Sequence, residues 1–168
     1  MTVSNAAYLK GFYDDTQALG ANIVKSDAMM EIEGFESTTF LIKAFPSPIL
    51  SPGEPIEYYM PLGVKGTQAS QIEIAQSAPI TLKETIAFSA NKLLIETIIR
   101  SPLASFNAKI YEGTTEKYLR ALRIRDAYIK ADIPDRDWES RTEAFMIQGT
   151  LYYHFFGEYL EGNSTDYR

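Results

Sequence analysis

The clearest alternation of apolar and polar positions begins at Ile80. Ile80, Leu82, Glu84, Ile86 and Phe88 alternate with Thr81, Lys83, Thr85, Ala87 and Ser89, the period of two expected of a strand with one buried face. A second run lies near the C-terminus. From Ala144 to Phe156, Phe145, Ile147, Leu151, Tyr153 and Phe155 share one face, and Met146, Gln148, Thr150, Tyr152 and His154 share the other. Both faces are partly apolar, as expected of a strand covered on its second side by its own chain or by a neighbouring subunit. A third run, Tyr118 to Ile129, sets Leu122, Ile124 and Tyr128 against Ala121, Arg123, Arg125 and Ala127, so its outer face is partly basic.

Upstream, Ala28 to Glu33 and Thr38 to Phe45 flank Gly34-Phe-Glu-Ser37 and read as a β-hairpin. Ile56 to Leu62 and Ser70 to Ala75 read as two more strands, with Gly63-Val-Lys-Gly66 as a turn between them. The segment from Pro46 to Pro55 holds four prolines and a glycine, which exclude a helix or a central strand and predict a long loop. Leu103 to Glu116 shows no clear period, and Ile133 to Ser140 reads as a polar turn.

Helical spacing occurs twice. Ala6, Leu9, Phe12 and Tyr13 suit a short amphipathic helix between Asn5 and Leu19, weakened by Gly11; residues 1–20 are therefore an N-terminal arm or short helix. Ser89 is placed to cap a helix over Ala90 to Arg100, with Ala90, Leu94 and Ile98 on one stripe and Ile95 and Ile99 beside it. Arg100 suits the last turn and Ser101-Pro102 ends the helix. The expected fold is mainly β, a barrel or sandwich of antiparallel strands, with one short helix after a central strand. Residues 161–168 are expected to form a flexible tail.

Length and composition narrow the reading. A chain of 168 residues suits one domain spanning 1–168. The absence of cysteine removes disulfides, thiolate metal sites and thiol nucleophiles together, and suits synthesis in a reducing cytoplasm. The segment Met1 to Leu19 carries Asp14 and Asp15 and lacks the pattern of a signal peptide, and no run of about 18 apolar residues occurs. Membrane insertion is not expected. With 22 acidic and 16 basic residues the net charge is −6, which repels a phosphate backbone and argues against tight nucleic-acid binding.

Catalytic chemistry is scarce. The single histidine, His154, lies within Tyr152-Tyr-His-Phe-Phe156, and no Gly-x-Ser-x-Gly elbow accompanies it, so it reads as a packing or surface residue. Gly63-Val-Lys-Gly66 lacks the ending of a phosphate loop. Asp132, Asp135, Asp137 and Glu139 lack the glycine and distal glutamate of a calcium loop and read as a solvated turn. The aromatic run Tyr152, Tyr153, Phe155 and Phe156 suits core packing better than stacking of single strands. No catalytic residue, metal or cofactor is expected. Arg123 and Arg125 share a strand face and suit carboxylates of the same chain or of a neighbouring subunit.

The order of elements, together with the loop after Phe40-Leu-Ile-Lys-Ala-Phe-Pro46, the strand and helix around Thr81-Leu-Lys-Glu-Thr-Ile-Ala-Phe-Ser-Ala90, and the closing pair Ala121-Leu-Arg-Ile-Arg-Asp-Ala-Tyr128 and Phe145-Met-Ile-Gln-Gly-Thr-Leu-Tyr-Tyr153, resembles the tail tube protein of contractile-tailed bacteriophages, whose fold is shared with type VI secretion tube proteins. The resemblance covers about Ala28 to Leu160. It implies hexameric rings stacked into a hollow tube inside a sheath, joined to baseplate and tail terminator proteins in a virion tail. DNA would pass through without specific binding. Six chains at −6 carry about −36 per ring, which suits a conduit that does not hold DNA back.

Assembly would also consume open sheet edges. Under this reading the proline-rich loop is a hook onto the adjacent ring, and the contact residues are Pro48, Ile49, Leu50, Pro52, Arg123 and Arg125. A baseplate tube initiator or a secretion-system tube protein would share the fold. From another class, a barrel of this size would suit a small apolar ligand.

Overall fold

The computed structural model describes residues 5–101 and 103–165. Among the described residues, nine strands and two α-helices follow in the order α1 (Ala6–Ala18), β1 (Ala28–Ile32), β2 (Ile42–Ala44), β3 (Ile56–Tyr59), β4 (Lys65–Gln68), β5 (Ala75–Lys83), α2 (Ser89–Arg100), β6 (Phe106–Gly113), β7 (Tyr118–Ala131), β8 (Met146–His154) and β9 (Tyr159–Glu161). Seven strands form one antiparallel sheet ordered β1-β6-β7-β8-β5-β2, with β9 added to β7. Strands β3 and β4 form a separate hairpin. The expected mainly β, barrel-like antiparallel fold is therefore what the chain adopts.

The long strand β7 bends the sheet around its core. Its first half pairs with β6 on one side and β9 on the other, and its second half pairs with β8. The change occurs at a bulge, where Asp126 takes φ of 46° and its amide donates to Asn107 Oδ1 at 3.2 Å. A bulge twists a strand and inserts a residue, so the faces exchange: Ile124 and Ala127 both point inward, and Tyr128 turns outward to stack on Tyr152 at 5.0 Å. Strict alternation through Tyr128 was the expectation, and the bulge is why it fails.

Met30, Ile32, Ile80, Leu82, Ile110, Ile124 and Leu151 are fully buried between the two halves of the sheet. They fill the interior with aliphatic carbon, as packed cores require, so the inside of the barrel is core and not the wet or ligand-sized space of a binding barrel. Strand β8 buries Ile147, Leu151 and Tyr153, with Phe155 just beyond it, on one face as its alternation predicts.

Three local expectations are corrected. Ala28 to Phe45 is not a hairpin: β1 pairs with β6, residues 36–41 form a 3-10 helix, and β2 pairs with β5. The segment without a clear period contains β6, a central strand whose Ala108 and Ile110 are buried between β1 and β7. The strand begun at Ala75 ends at Lys83, because Glu84 to Phe88 turns into α2.

In the 161–165 part of the tail, Asn163 bonds to the start of β7 and the turn before it. Its Oδ1 accepts from the Tyr118 amide at 3.0 Å and its Nδ2 donates to Glu116 O at 2.6 Å. Residues 166–168, like Pro102 at the expected helix stop, lie outside the described residues.

Candidate assembly surface

The proline-rich loop is fastened rather than free. Gln76 Nε2 donates to Ile49 O at 2.7 Å, the Gly53 amide to Gln71 O at 2.9 Å, and the Glu73 amide to Ser51 O at 3.0 Å. Pro52 forms an antiparallel bridge with Ile72, and Pro48 is buried. Two apolar side chains are left at the crest: Ile49 is 72% exposed and Leu50 41%. The same polar set fixes Tyr153, whose hydroxyl donates to Gln76 Oε1 at 3.0 Å. Burial pushes the Tyr153 phenol above its ordinary pKa.

Next to this loop stands the β3–β4 hairpin, every strand residue of which is solvent-facing except Gly66. Its register is Ile56 with Gln68, Tyr58 with Gly66 and Tyr59 with Lys65, closed by the Met60 amide donating to Val64 O at 2.8 Å. The tyrosine at 58 lies across Gly66, where a β-carbon would stand 2.5 Å from its ring. Gly66 had read as a turn residue; it is instead the strand position that leaves room for that ring. Ile56, Tyr59, Met60, Leu62 and Val64 are exposed along the hairpin, a concentration of apolar side chains that marks interaction surface.

The helix α2 presents a further apolar face. It buries Ala90, Leu93 and Thr97, while Ile95, Ile98 and Ile99 face solvent. The expected inward stripe through Ile98 is thus rotated. The helix is apolar on two sides, and periodicity cannot say which one meets the core. Its N-terminus is not capped by Ser89, which is its first helical residue. Phe88 precedes it in a left-handed conformation, and the Glu84 carboxylate accepts from the Ala90 amide at 3.0 Å and the Asn91 amide at 2.9 Å. An anion held there meets both the unpaired amides and the positive end of the helix dipole.

The arginines expected at contacts are already paired on this chain. Arg125 meets Glu158 at 2.7 Å and Arg123 meets Glu33 at 3.6 Å. Arg120, on the same strand, makes two bonds of 2.8 Å to Glu112, and that carboxylate raises its pKa. These pairs stitch β9, β1 and β6 to β7.

Among the described residues no group of three His, Cys, Asp or Glu is arranged to hold a metal ion, so the acidic cluster from Asp132 to Glu139 does not converge. It belongs to a solvated loop in which Ile133 and Trp138 are almost fully exposed. His154 Nδ1 is buried without a hydrogen-bond partner.

The sequence matches no family model and no curated protein. The fold does match solved structures. A chain of the sheath–tube complex of an extracellular contractile injection system, PVC, in its extended state is 14% identical with a TM-score of 0.57, covering 87% of this chain and 95% of that one. A chain of the anti-feeding prophage cap, the tube-terminating cap of AFP, is 16% identical with a TM-score of 0.54, covering 80% and 89%. A chain of the AFP baseplate is 14% identical with a TM-score of 0.56, covering 84% and 97%. The fold is that of contractile tail tube-like proteins, as the sequence resemblance implied.

Proposed function

We propose that this chain is a non-catalytic structural subunit of a contractile tail tube. Copies assemble into hexameric rings, the rings stack into a hollow conduit within a sheath, and the conduit ends at baseplate and terminator proteins. The observation that carries the reading is the apolar surface on a tube-like fold: the crest at Ile49 and Leu50, the β3–β4 hairpin and the outer face of α2 are all uncovered. A monomer gains nothing from so many exposed large apolar groups, whereas a ring buries them.

The edges of the sheet point the same way. Among the described residues β1 pairs only with β6, and β2 only with β5, so each offers backbone groups to a neighbour. On this reading the 46–55 loop, with Pro48 and Pro52 as its fastened base and Ile49 and Leu50 as its crest, meets the adjacent ring. Arg123 and Arg125 lie on the subunit boundary while keeping their own carboxylates. DNA is the cargo if the tail belongs to a bacteriophage virion, and the net charge of −6 per chain suits its passage.

A second reading, a ring at one end of the tube, is favoured by the comparable TM-scores to the cap and baseplate chains. Light scattering combined with negative-stain electron microscopy of the purified chain tests the assignment. Sixfold rings that stack into tubes support a tube subunit, and single rings that never stack support the terminal position. A monomer at every concentration, with no rings on the grid, contradicts both.

A further inference from the structure

Helix α1 has the composition of a helix that needs a partner. It is 13 residues long, contains Gly11, and buries none of its residues. Isolated helices of that length are marginal in water even when rich in alanine, and glycine weakens this one further. Its acidic residues, Asp14 and Asp15, lie toward its C-terminal end with no basic residue in the last turn, the arrangement its own dipole disfavours. Yet Tyr8, Leu9, Phe12 and Tyr13 form one continuous stripe, each more than half exposed, with Tyr8 and Phe12 in edge contact at 4.8 Å.

A matching face exists on the same chain. Ile95, Ile98 and Ile99 fall on the side of α2 opposite Leu93, and each is also more than half exposed. We propose that the aromatic face of α1 packs on the outward isoleucine face of α2 in a second copy of this chain. The inference rests on the self-assembly reading above and names one of its contacts.

Charge selects the occupant and the direction. Lys10, Asp14 and Asp15 leave α1 with a net −1, while Lys92, Glu96 and Arg100 leave α2 with a net +1. In an antiparallel seating Asp14 and Asp15, at the C-terminal end of α1, lie beside Lys92 near the N-terminal end of α2, a cation that offsets the conflict α1 has with its own dipole. Nine residues, 19–27, separate α1 from β1; extended, they span about 30 Å, enough to reach across a subunit boundary. Because one chain carries both halves of the contact, repeating it head-to-tail closes a ring, whereas reciprocal exchange between two chains would stop at a dimer.

The chain has no cysteine, so introduced thiols report without background. The test mixes two single-cysteine proteins, Leu9→Cys and Ile98→Cys, lets them assemble, and adds a short bismaleimide. The expected result is a covalent dimer joining the two variants, absent when Lys10→Cys on the polar side of α1 replaces Leu9→Cys. As a second measurement, Phe12→Asp in otherwise unaltered chain is expected to weaken ring formation about tenfold or more, the scale of losing one buried aromatic contact.

Rings that form without the crosslink overturn the α1–α2 contact and leave the self-assembly reading intact. A crosslink that forms within a chain carrying both Leu9→Cys and Ile98→Cys, but not between the two single variants, shows that α1 folds onto its own α2, which also overturns it. Absence of rings in the unaltered protein fails the assembly reading itself, and the inference with it.

Discussion

The side chain of Leu50 lies directly over Gly157: a β-carbon built there would stand 2.6 Å from Leu50 Cδ1, and Gly157 holds φ at +78°. One relationship thereby joins the crest of the proline-rich loop to the connection between β8 and β9. Half of the exposed apolar pair at residues 49 and 50 is positioned by the C-terminal part of the chain, and only Ile49 is wholly available to a neighbour.

Gly157→Ala is therefore expected to lower stability by about 1–3 kcal/mol, from backbone strain at positive φ and from the displaced leucine. Adding Leu50→Ala removes the collision and leaves the strain, so urea denaturation of the double variant should recover part of the loss. A full additive loss would mean that the two residues do not meet.

Ile49→Asp separates assembly from folding. Its side chain is mostly solvent-exposed, so the denaturation midpoint should move by no more than about 0.5 kcal/mol. Ring or tube yield on grids should fall sharply, because a carboxylate would have to be buried at the contact. Undiminished tubes would remove the loop crest from the interface.

Glu84 anchors α2 from outside the helix. Replacement by alanine leaves the Ala90 and Asn91 amides without their carboxylate and is expected to cost about 1–2 kcal/mol. Ser89→Ala, at the residue the sequence suggested as the cap, should cost much less. Equal losses for the two variants in denaturant titrations would contradict the geometry.

Gly149 lets β8 approach β7. A β-carbon there would stand 2.5 Å from Lys130 O, with the backbone of Ala131 nearly as close. Gly149→Ala must push two paired strands apart, and a loss of about 1–3 kcal/mol is expected. Hydrogen exchange should quicken at the amides of β7 and β8 first; unchanged exchange there would refute the crowding.

At alkaline pH, Tyr153 and Tyr111 should report on the core. Burial raises both phenols, and Glu31 adds to the effect at Tyr111. A folded-state pKa above the unfolded value means the native state holds the proton longer. The stability this contributes is complete below the ordinary tyrosine pKa and is lost as pH rises through the higher folded value. Tyr153→Phe should flatten the alkaline fall in melting temperature, and an unaltered fall would exclude its titration as a cause.

The sequence by itself determined a good deal. Periodicity located β7, β8 and the 80–83 end of β5, because strand side chains alternate, although the bulge at Asp126 exchanges the faces of β7. The prolines of 46–55 excluded regular structure, and the lack of cysteine and the single histidine ruled out disulfides, thiol nucleophiles and sites built from several histidines. The tube-like resemblance followed from the order of these elements.

Only the tertiary structure decided pairing. Met30 and Ile32 find their partners in β6, far along the chain, and nothing local distinguishes that choice from a hairpin with Thr38 to Phe45. Strand β6 does alternate, with Phe106, Ala108 and Ile110 buried and Asn107 and Lys109 between them, but Tyr111 is buried directly after Ile110, so the period lasts only five residues and is a weak signal. In α2, apolar residues on two sides left the inward face to be chosen by packing on the sheet. Gly66 and Gly157 are explained by Tyr58 and Leu50, residues brought to them by the fold. Local sequence sets which conformations are cheap, whereas burial against distant residues chooses among them, and the assembly surface consists of the apolar groups left over from that choice.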